Sequence, residues 1–259
     1  MMNVIRAMLH GWPNTYVFTK AIGEMLLENF EKAKVVIIRP TIVTSTYKEP
    51  FSGWIEGLRT MDSIFVAYGK GKLKFFAGDP NSTLDMIPGD MVVNCMLAAM
   101  AVHSNHHHHN LFIYHIGSSR RNPVKYAEVT SLMQRYLTQN PLLDSGGRAI
   151  KVAQLTVLSS MASFHNYIAI HYLPFLQILK WTNMMCCNLF ESIYANARRS
   201  LSASMRLTEF FDDVNTENLR RMIKGSNTEV MLDFDPKSIQ WDGYFVNTHF
   251  KGLTKYVLK

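Results

Sequence analysis

Cysteine is scarce in this sequence: Cys95 and the adjacent pair Cys186–Cys187 are the three in 259 residues. An odd count with no C-x-x-C spacing excludes a disulfide framework and predicts reduced thiols on the cytosolic side of any membrane. Long apolar runs are missing as well. No stretch reaches the roughly 18 uninterrupted residues of a membrane span. The nearest, residues 152–190, is broken by Gln154, His165, Asn166, His171, Pro174, Gln177 and Lys180. The opening "MMNVIRAMLHGWP" lacks the apolar core of a secretory leader, so none is expected there. Acidic residues are outnumbered, 20 against 27 basic, which leaves a formal charge of +7 and favours an anionic ligand. The basic residues are dispersed in pairs (Arg120–Arg121, Arg198–Arg199, Arg220–Arg221), with no aromatic-interleaved stripe and no nucleic-acid motif. Nucleic acid is therefore not the expected partner. Ser118–Ser119 has no G-x-S-x-G context, so no nucleophile is read there. The one low-complexity patch is "HSNHHHHN", and four consecutive histidines on a loop lack the fixed geometry of a metal site.

What is present is an ordinary globular balance, 47% hydrophobic and 18% charged, over a length that suits one large domain or two smaller ones. Apolar spacing predicts a helix from about Tyr16 to Phe30, capped by Thr15. The β-branched run Val35 to Ile38 follows and ends at Pro40, the pattern of a strand covered on both faces in a parallel sheet. A helix followed by such a strand is the second half of a βαβ unit. Further along, the pattern predicts a helix near Trp54 to Asp62, a strand in "KLKFFAG" and a strand ending near Pro88. It then predicts a helix capped by Asp90, a β-rich "LFIYHIGSS", and a helix capped by Asn122 with Pro123 in its first turn, stopping before Pro141. After "LLDSGGRAIK" the pattern turns helical and aromatic with few strand signals. The expected division is residues 1–148, part of a nucleotide-binding α/β domain, and 149–259, a helical domain. Asp235–Pro236 reads as a cap and first-turn pair before a closing aromatic segment.

The chemistry-bearing pattern lies in "HGWPNTYVFTKAIGE". Tyr16 and Lys20, at i and i+4, share one face of the predicted helix. A neighbouring ammonium favours a phenolate and makes the phenol a better proton donor to a carbonyl oxygen receiving hydride. The alternative is a half-buried aromatic beside a solvated lysine, since Y-x-x-x-K is common by chance. The order of helix, buried strand and Arg39–Pro40 favours the dyad.

Over nearly the whole chain the sequence resembles plant alcohol-forming fatty acyl-CoA reductases, within the extended short-chain dehydrogenase/reductase superfamily. The segments that carry the likeness are "GWPNTYVFTKAIGE", "VVIIRPTIVTSTYKEPFSGWIEGLRTMDS", "YGKGKLKFFAGD", "DMIPGDMVVNCMLAAM" and "LDFDPKSIQWDGYF". The resemblance implies an incomplete Rossmann-like parallel sheet followed by an all-α domain. It implies reduction of a long-chain acyl-CoA by NADPH, through an aldehyde, to a primary alcohol for wax, suberin or pollen-wall lipids. Tyr16 matches the family's proton donor and Lys20 its ribose-binding partner, while Pro40, Thr41 and Ile42 match the segment against the nicotinamide. It further implies peripheral membrane contact at the cytosolic face of the endoplasmic reticulum, or a plastid location. A second reading is a non-catalytic lipid-binding or partner-binding remnant. A third, another extended reductase acting on sugars or sterols, is opposed by "KEPFSGW" and "DFDPKSIQWD".

One part of such an enzyme is not in these residues. The 14 glycines nowhere form a G-x-x-G-x-x-G turn, and "YGKGK" and "SGGR" lack its context. The chain therefore reads as a truncated copy or a partial gene model, with an apolar strand edge at Val35 to Ile38 left open. The isolated chain is expected to be poorly soluble and inactive. Equilibrium titration with NADPH checks this, and micromolar binding contradicts it.

Overall fold

A computed structural model describes residues 11–12, 14–28, 35–104, 111–174, 177–178, 212–226 and 231–258. The histidine run, Met184–Met185, Cys186–Cys187 and Arg198–Arg199 fall outside them. The first helix, α1, spans Thr15–Glu28. Its cap is Asn14 rather than the expected Thr15. The Asn14 carboxamide accepts from the Val17 N–H at 2.9 Å, and Thr15 Oγ1 is buried with no partner among the described residues. Asn outranks Thr at this position.

The β-branched run forms β1, Val36–Pro40. Two residues on comes β2, Ile42–Thr44. The other strands are β3, Phe75–Ala77, β4, Thr83–Leu84, β5, Met86–Pro88, β6, Phe112–Ile116, β7, Val124–Lys125, and β8, Thr156–Leu158. They pair as β1–β6, β2–β5 and β3–β8 in parallel and β4–β7 antiparallel. With helices α2, Thr60–Gly69, α3, Gly89–His103, α4, Tyr126–Gln139, α5, Met161–His171, and α6, Val214–Ile223, the architecture is the expected α/β class with short parallel sheet pieces. The Thr41 N–H donates to the Ile116 carbonyl of β6 at 3.0 Å, and the next amide, Ile42 N–H, donates to the Asp85 carbonyl ahead of β5 at 3.1 Å. One extended segment thus changes neighbour between consecutive residues.

Four local expectations are corrected by long-range contacts or by backbone. The helix predicted from Trp54 starts only at Thr60, because Gly53 and Gly57 sit at φ +80° and +73° and break it. Asp90 does not cap α3. Its carboxylate accepts the Tyr47, Lys48 and Glu49 N–H groups at 2.8, 2.7 and 3.0 Å. Asn122 does not cap α4, since Val124–Lys125 first pairs with β4. The Asn122 amide donates instead to the Pro236 and Ile239 carbonyls, both at 2.8 Å. Finally, β8 is a strand where the pattern reads helical. Across position 148, β8 pairs with β3, α6 packs on α3 and β6, and Tyr244–His249 packs on α4.

Asp235 caps a short 3₁₀ turn, Pro236–Ser238, by accepting from the Lys237 N–H at 3.1 Å. The helical residues 241–257 then close over the core. Phe250 stacks on Phe65 with ring centroids 4.6 Å apart, and Tyr244, Phe245 and Leu253 are fully buried. Cys95 of α3 is buried as well, and burial pushes its thiol up to about 12. Closure requires backbone contact between Gly252 and Gly53: a Cβ on Gly252 would lie 1.9 Å from the Gly53 carbonyl oxygen. Gly252→Ala should cost about 1–3 kcal/mol through forced displacement. Gly243→Ala, where a Cβ meets nothing within 4 Å, should be neutral or stabilising. Denaturant unfolding of both variants checks the contrast.

Candidate active site

The change of partner opens a cleft of about 1560 Å³ beyond the carboxyl end of β1. Ligands in open α/β sheets bind at this kind of position, outside strand ends where neighbouring connections diverge. One wall is Asn14, Tyr16 and Val17 of α1; the floor is Pro40 to Thr44. Trp54, Ile55 and Arg59 come from the loop before α2, with Met61 and Asp62 from α2 itself and Val93 and Asn94 from α3. The loop is held rigidly by Asp90, as above, and by Thr46, which donates to the Phe51 carbonyl at 2.7 Å and accepts from the Trp54 N–H at 2.9 Å.

Four of the five residues singled out in the sequence line this one cleft: Tyr16, Pro40, Thr41 and Ile42. Lys20 is not in the lining, but its ammonium lies 5.8 Å from the centre of the Tyr16 ring. Tyr16 is 70% exposed. The contact is with the ring, and the phenol hydroxyl is left open to a ligand. Near the other end of α1, the Arg39 Nε donates to Glu24 Oε1 at 2.9 Å, with a second bond between Arg39 Nη2 and Glu24 Oε2. The hydrogen bond from Arg39 holds the Glu24 carboxyl below the usual carboxylate range, and Glu24 raises Arg39 in return. This pair ties α1 to β1 and so fixes Tyr16 relative to Thr41.

Thr41 Oγ1 is buried with no hydrogen-bond partner among the described residues. Behind it, Gly117 permits a close approach: a Cβ there would lie 2.5 Å from Thr41 Cγ2 and from Asp85 Oδ1. Asp85 accepts the Ser118 and Ser119 N–H groups at 2.7 and 3.2 Å and the Ser119 hydroxyl. Asp85 and Asp90 are thereby spent on holding loops, and neither is free for acid–base work.

A second buried network escaped the sequence reading. His249 Nε2 lies 3.2 Å from Asp62 Oδ1, and its Nδ1 lies 3.0 Å from Ser45 Oγ. The Tyr244 hydroxyl is 2.7 Å from Thr44 Oγ1 and from the Ser45 carbonyl. Ser45 and His249 are 1% and 3% exposed and are not in the cleft lining, which this set meets only through Asp62, so it offers a substrate no nucleophile and acts as a brace of the wall. Burial pushes the Tyr244 phenol up, keeping it a neutral donor. No local signal could reveal the set, because Ser45 and His249 are 204 residues apart.

The unpartnered Thr41 hydroxyl, the Tyr16 phenol and the Lys20 ammonium match the polar groups of a nicotinamide and its ribose, so these residues fit that end of a dinucleotide. The pyrophosphate has no glycine-rich cradle among them. Because the Glu24 carboxyl is lowered in the folded state, its stabilisation is present above the unfolded carboxylate value of about 4.3 and is lost as pH falls through the folded one. Glu24→Gln should therefore speed amide exchange along α1 near neutral pH. The difference from the parent should vanish in acid, a comparison that hydrogen-exchange mass spectrometry makes directly.

The NAD-binding family model described as "Male sterility protein" matches residues 2–96. The chain is 46% identical to "Probable fatty acyl-CoA reductase 4" of Arabidopsis thaliana, over 100% of this chain and 55% of that protein. It is 48% identical to "Fatty acyl-CoA reductase 1" of the same plant, over 98% of this chain and 54% of the relative. To the "Alcohol-forming fatty acyl-CoA reductase" of Simmondsia chinensis it is 42% identical, over 99% of this chain and 55% of that one. The chain thus spans about half the length of these relatives. Among solved structures, a UDP-glucose 4-epimerase from Thermotoga maritima overlaps 59% of this chain and 46% of its own, at 21% identity and a TM-score of 0.36. Along virtually all of its residues, at identities above 40%, the chain is thus a homologue of part of the plant fatty acyl-CoA reductases.

Proposed function

We propose that this chain carries the catalytic half of an alcohol-forming fatty acyl-CoA reductase, with NADPH as reductant and a long-chain acyl-CoA as substrate. The observation that carries the reading is the meeting, in one cleft beyond β1, of Tyr16 with Pro40, Thr41 and Ile42, with the Lys20 ammonium beside the phenol ring. When bound, a nicotinamide supplies hydride. Tyr16 would donate a proton to the thioester carbonyl oxygen as carbon accepts the hydride; the departing thiolate would take back the hydroxyl proton, leaving an aldehyde that needs a second hydride from a second nicotinamide and a second proton through Tyr16 to become the alcohol. Lys20 holds ribose hydroxyls and places positive charge beside the phenol. The Thr41 hydroxyl orients the carboxamide, and Pro40 and Ile42 pack on the ring.

The size and lining of the cleft support the substrate class. At about 1560 Å³ it exceeds the roughly 300–1,000 Å³ of a drug-sized site, which leaves room for an acyl chain beside a nicotinamide. Val43, Trp54, Ile55, Met61 and Val93 give that space an apolar surface. In this proposal residues 1–148 supply the redox wall, and 149–259, with the brace at Tyr244 and His249, back the substrate side. We place the enzyme at the cytosolic face of the endoplasmic reticulum. The contact proposed there is peripheral; no described helix is long and apolar enough to cross a membrane.

The test joins these 259 residues to the portion of an Arabidopsis relative that they do not match, and assays alcohol formation from NADPH and a long-chain acyl-CoA. The joined protein should produce alcohol, and Tyr16→Phe should lower turnover by about 10²–10⁴-fold. Turnover unchanged in Tyr16→Phe overturns the assignment.

A further inference from the structure

Among the described residues, every arginine but one is ion-paired with a carboxylate. Arg39 meets Glu24, Arg121 bonds Asp213 at 2.7 Å, and Arg220 bonds Glu217 at 2.9 Å. Arg120, Arg135, Arg148 and Arg221 have acidic partners too. The exception is Arg59. Its backbone is committed: the N–H donates to Asp62 Oδ2 at 3.3 Å, and the carbonyl accepts the Ser63 N–H at 2.9 Å. Its side chain is exposed, and the guanidinium has no hydrogen bond or ion pair among the described residues.

This unpaired arginine is also the one lysine or arginine in the described lining of the cleft. Acids are close by in the same lining, yet none has claimed it. The Asp85 and Asp90 carboxylates are taken by backbone N–H groups, and Asp62 Oδ1 faces His249 at 3.2 Å. Glu56 lies three residues before Arg59, but Gly57 at φ +73° turns the chain between them, and no pair forms. Glu49 also lines the cleft without reaching it. An arginine fork left open in a concave site is suited to an incoming anion, and above all to phosphate, which it can grip with two parallel N–H bonds.

The surroundings narrow the ligand further. Arg59 stands in a wall whose other members are apolar: Trp54 and Ile55 precede it and Met61 follows. A molecule that satisfies this wall carries a phosphate next to a long apolar portion. We propose that Arg59 anchors the phosphates of the thiol carrier, coenzyme A, while the acyl chain lies on the apolar lining. The inference rests on the reductase reading for the identity of the ligand, and on the unpaired guanidinium for the site. It makes Arg59 the residue that distinguishes the two reductions. The thioester brings phosphates to the cleft, whereas a free aldehyde has none, so only the first step depends on this side chain. The dinucleotide has phosphates as well, but Tyr16 and Thr41, which fit its nicotinamide end, belong to α1 and the β1–β2 segment, not to the loop that bears Arg59.

Calorimetric titration of the joined reductase with coenzyme A, with phosphate-free pantetheine and with NADPH tests this. Arg59→Gln should weaken coenzyme A binding by about ten- to a hundredfold and leave pantetheine and NADPH unchanged. Arg59→Lys, which keeps the charge without the fork, should fall between. In turnover, Arg59→Gln should raise KM for a long-chain acyl-CoA while KM and kcat for the matching free aldehyde stay at parental values. The proposal is overturned if the parent does not bind coenzyme A, or if Arg59→Gln binds it as the parent does. It is also overturned if NADPH affinity falls instead, which gives Arg59 to the cofactor, or if pantetheine and the aldehyde suffer equally, which makes its role structural. Coenzyme A binding that depends on Arg59 in a protein that forms no alcohol leaves the anion site standing and removes the reductase reading.

Discussion

The structure turns on one backbone event: the segment from Val36 to Thr44 bonds to β6 up to Thr41 and to the β5 side from Ile42 onward. Two parallel neighbours diverge there, and a cleft opens at the strand end. The divergence is enforced from behind. Gly117 lets the turn after β6 press against Thr41, and Asp85 accepts two backbone N–H groups of that turn while its own carbonyl receives Ile42. A side chain larger than glycine would push Thr41 off the wall. The orphaned hydroxyl of Thr41 is thus held at the cleft floor by the same turn that packs behind this residue.

The remaining architecture holds the walls of that cleft in place. Arg39 and Glu24 fix the angle of α1, and with it the phenol of Tyr16. Asp90 gathers three successive N–H groups of the loop at its start, and Thr46 accepts the Trp54 N–H further along it. Such carboxylates are stabilised because each oxygen has backbone donors that would otherwise be unsatisfied in a buried position. From the far end of the chain, Tyr244 and His249 brace Thr44, Ser45 and Asp62. Gly252 against Gly53 allows the last helical residues to reach that depth.

Local pattern made parts of this legible. The β-branched run before Pro40, the apolar spacing after Asn14 and the stop before Pro141 all encode nearest-neighbour preferences, and the corresponding elements are found. Tyr16 and Lys20 could be paired because helical periodicity alone places them on one face. Asp90 and Asn122 were misread for the opposite reason. Each has the residue type of a cap, but partners more than 40 and 110 residues away in sequence claim its side chain. The partner change at Thr41 has no sequence signature, since a β-branched run does not specify which strand it will meet. The loop from residue 54 to 59 looked helical by spacing and was broken by a left-handed glycine, which periodicity does not register.

The central claim is that Thr41 and Tyr16 flank the nicotinamide. It is tested most directly by nuclear Overhauser contacts in the assembled, cofactor-bound protein, between the Thr41 methyl group and the ring protons of the nicotinamide. The account predicts a strong contact to Thr41 together with one to the Tyr16 ring. Bound cofactor with neither contact would contradict it.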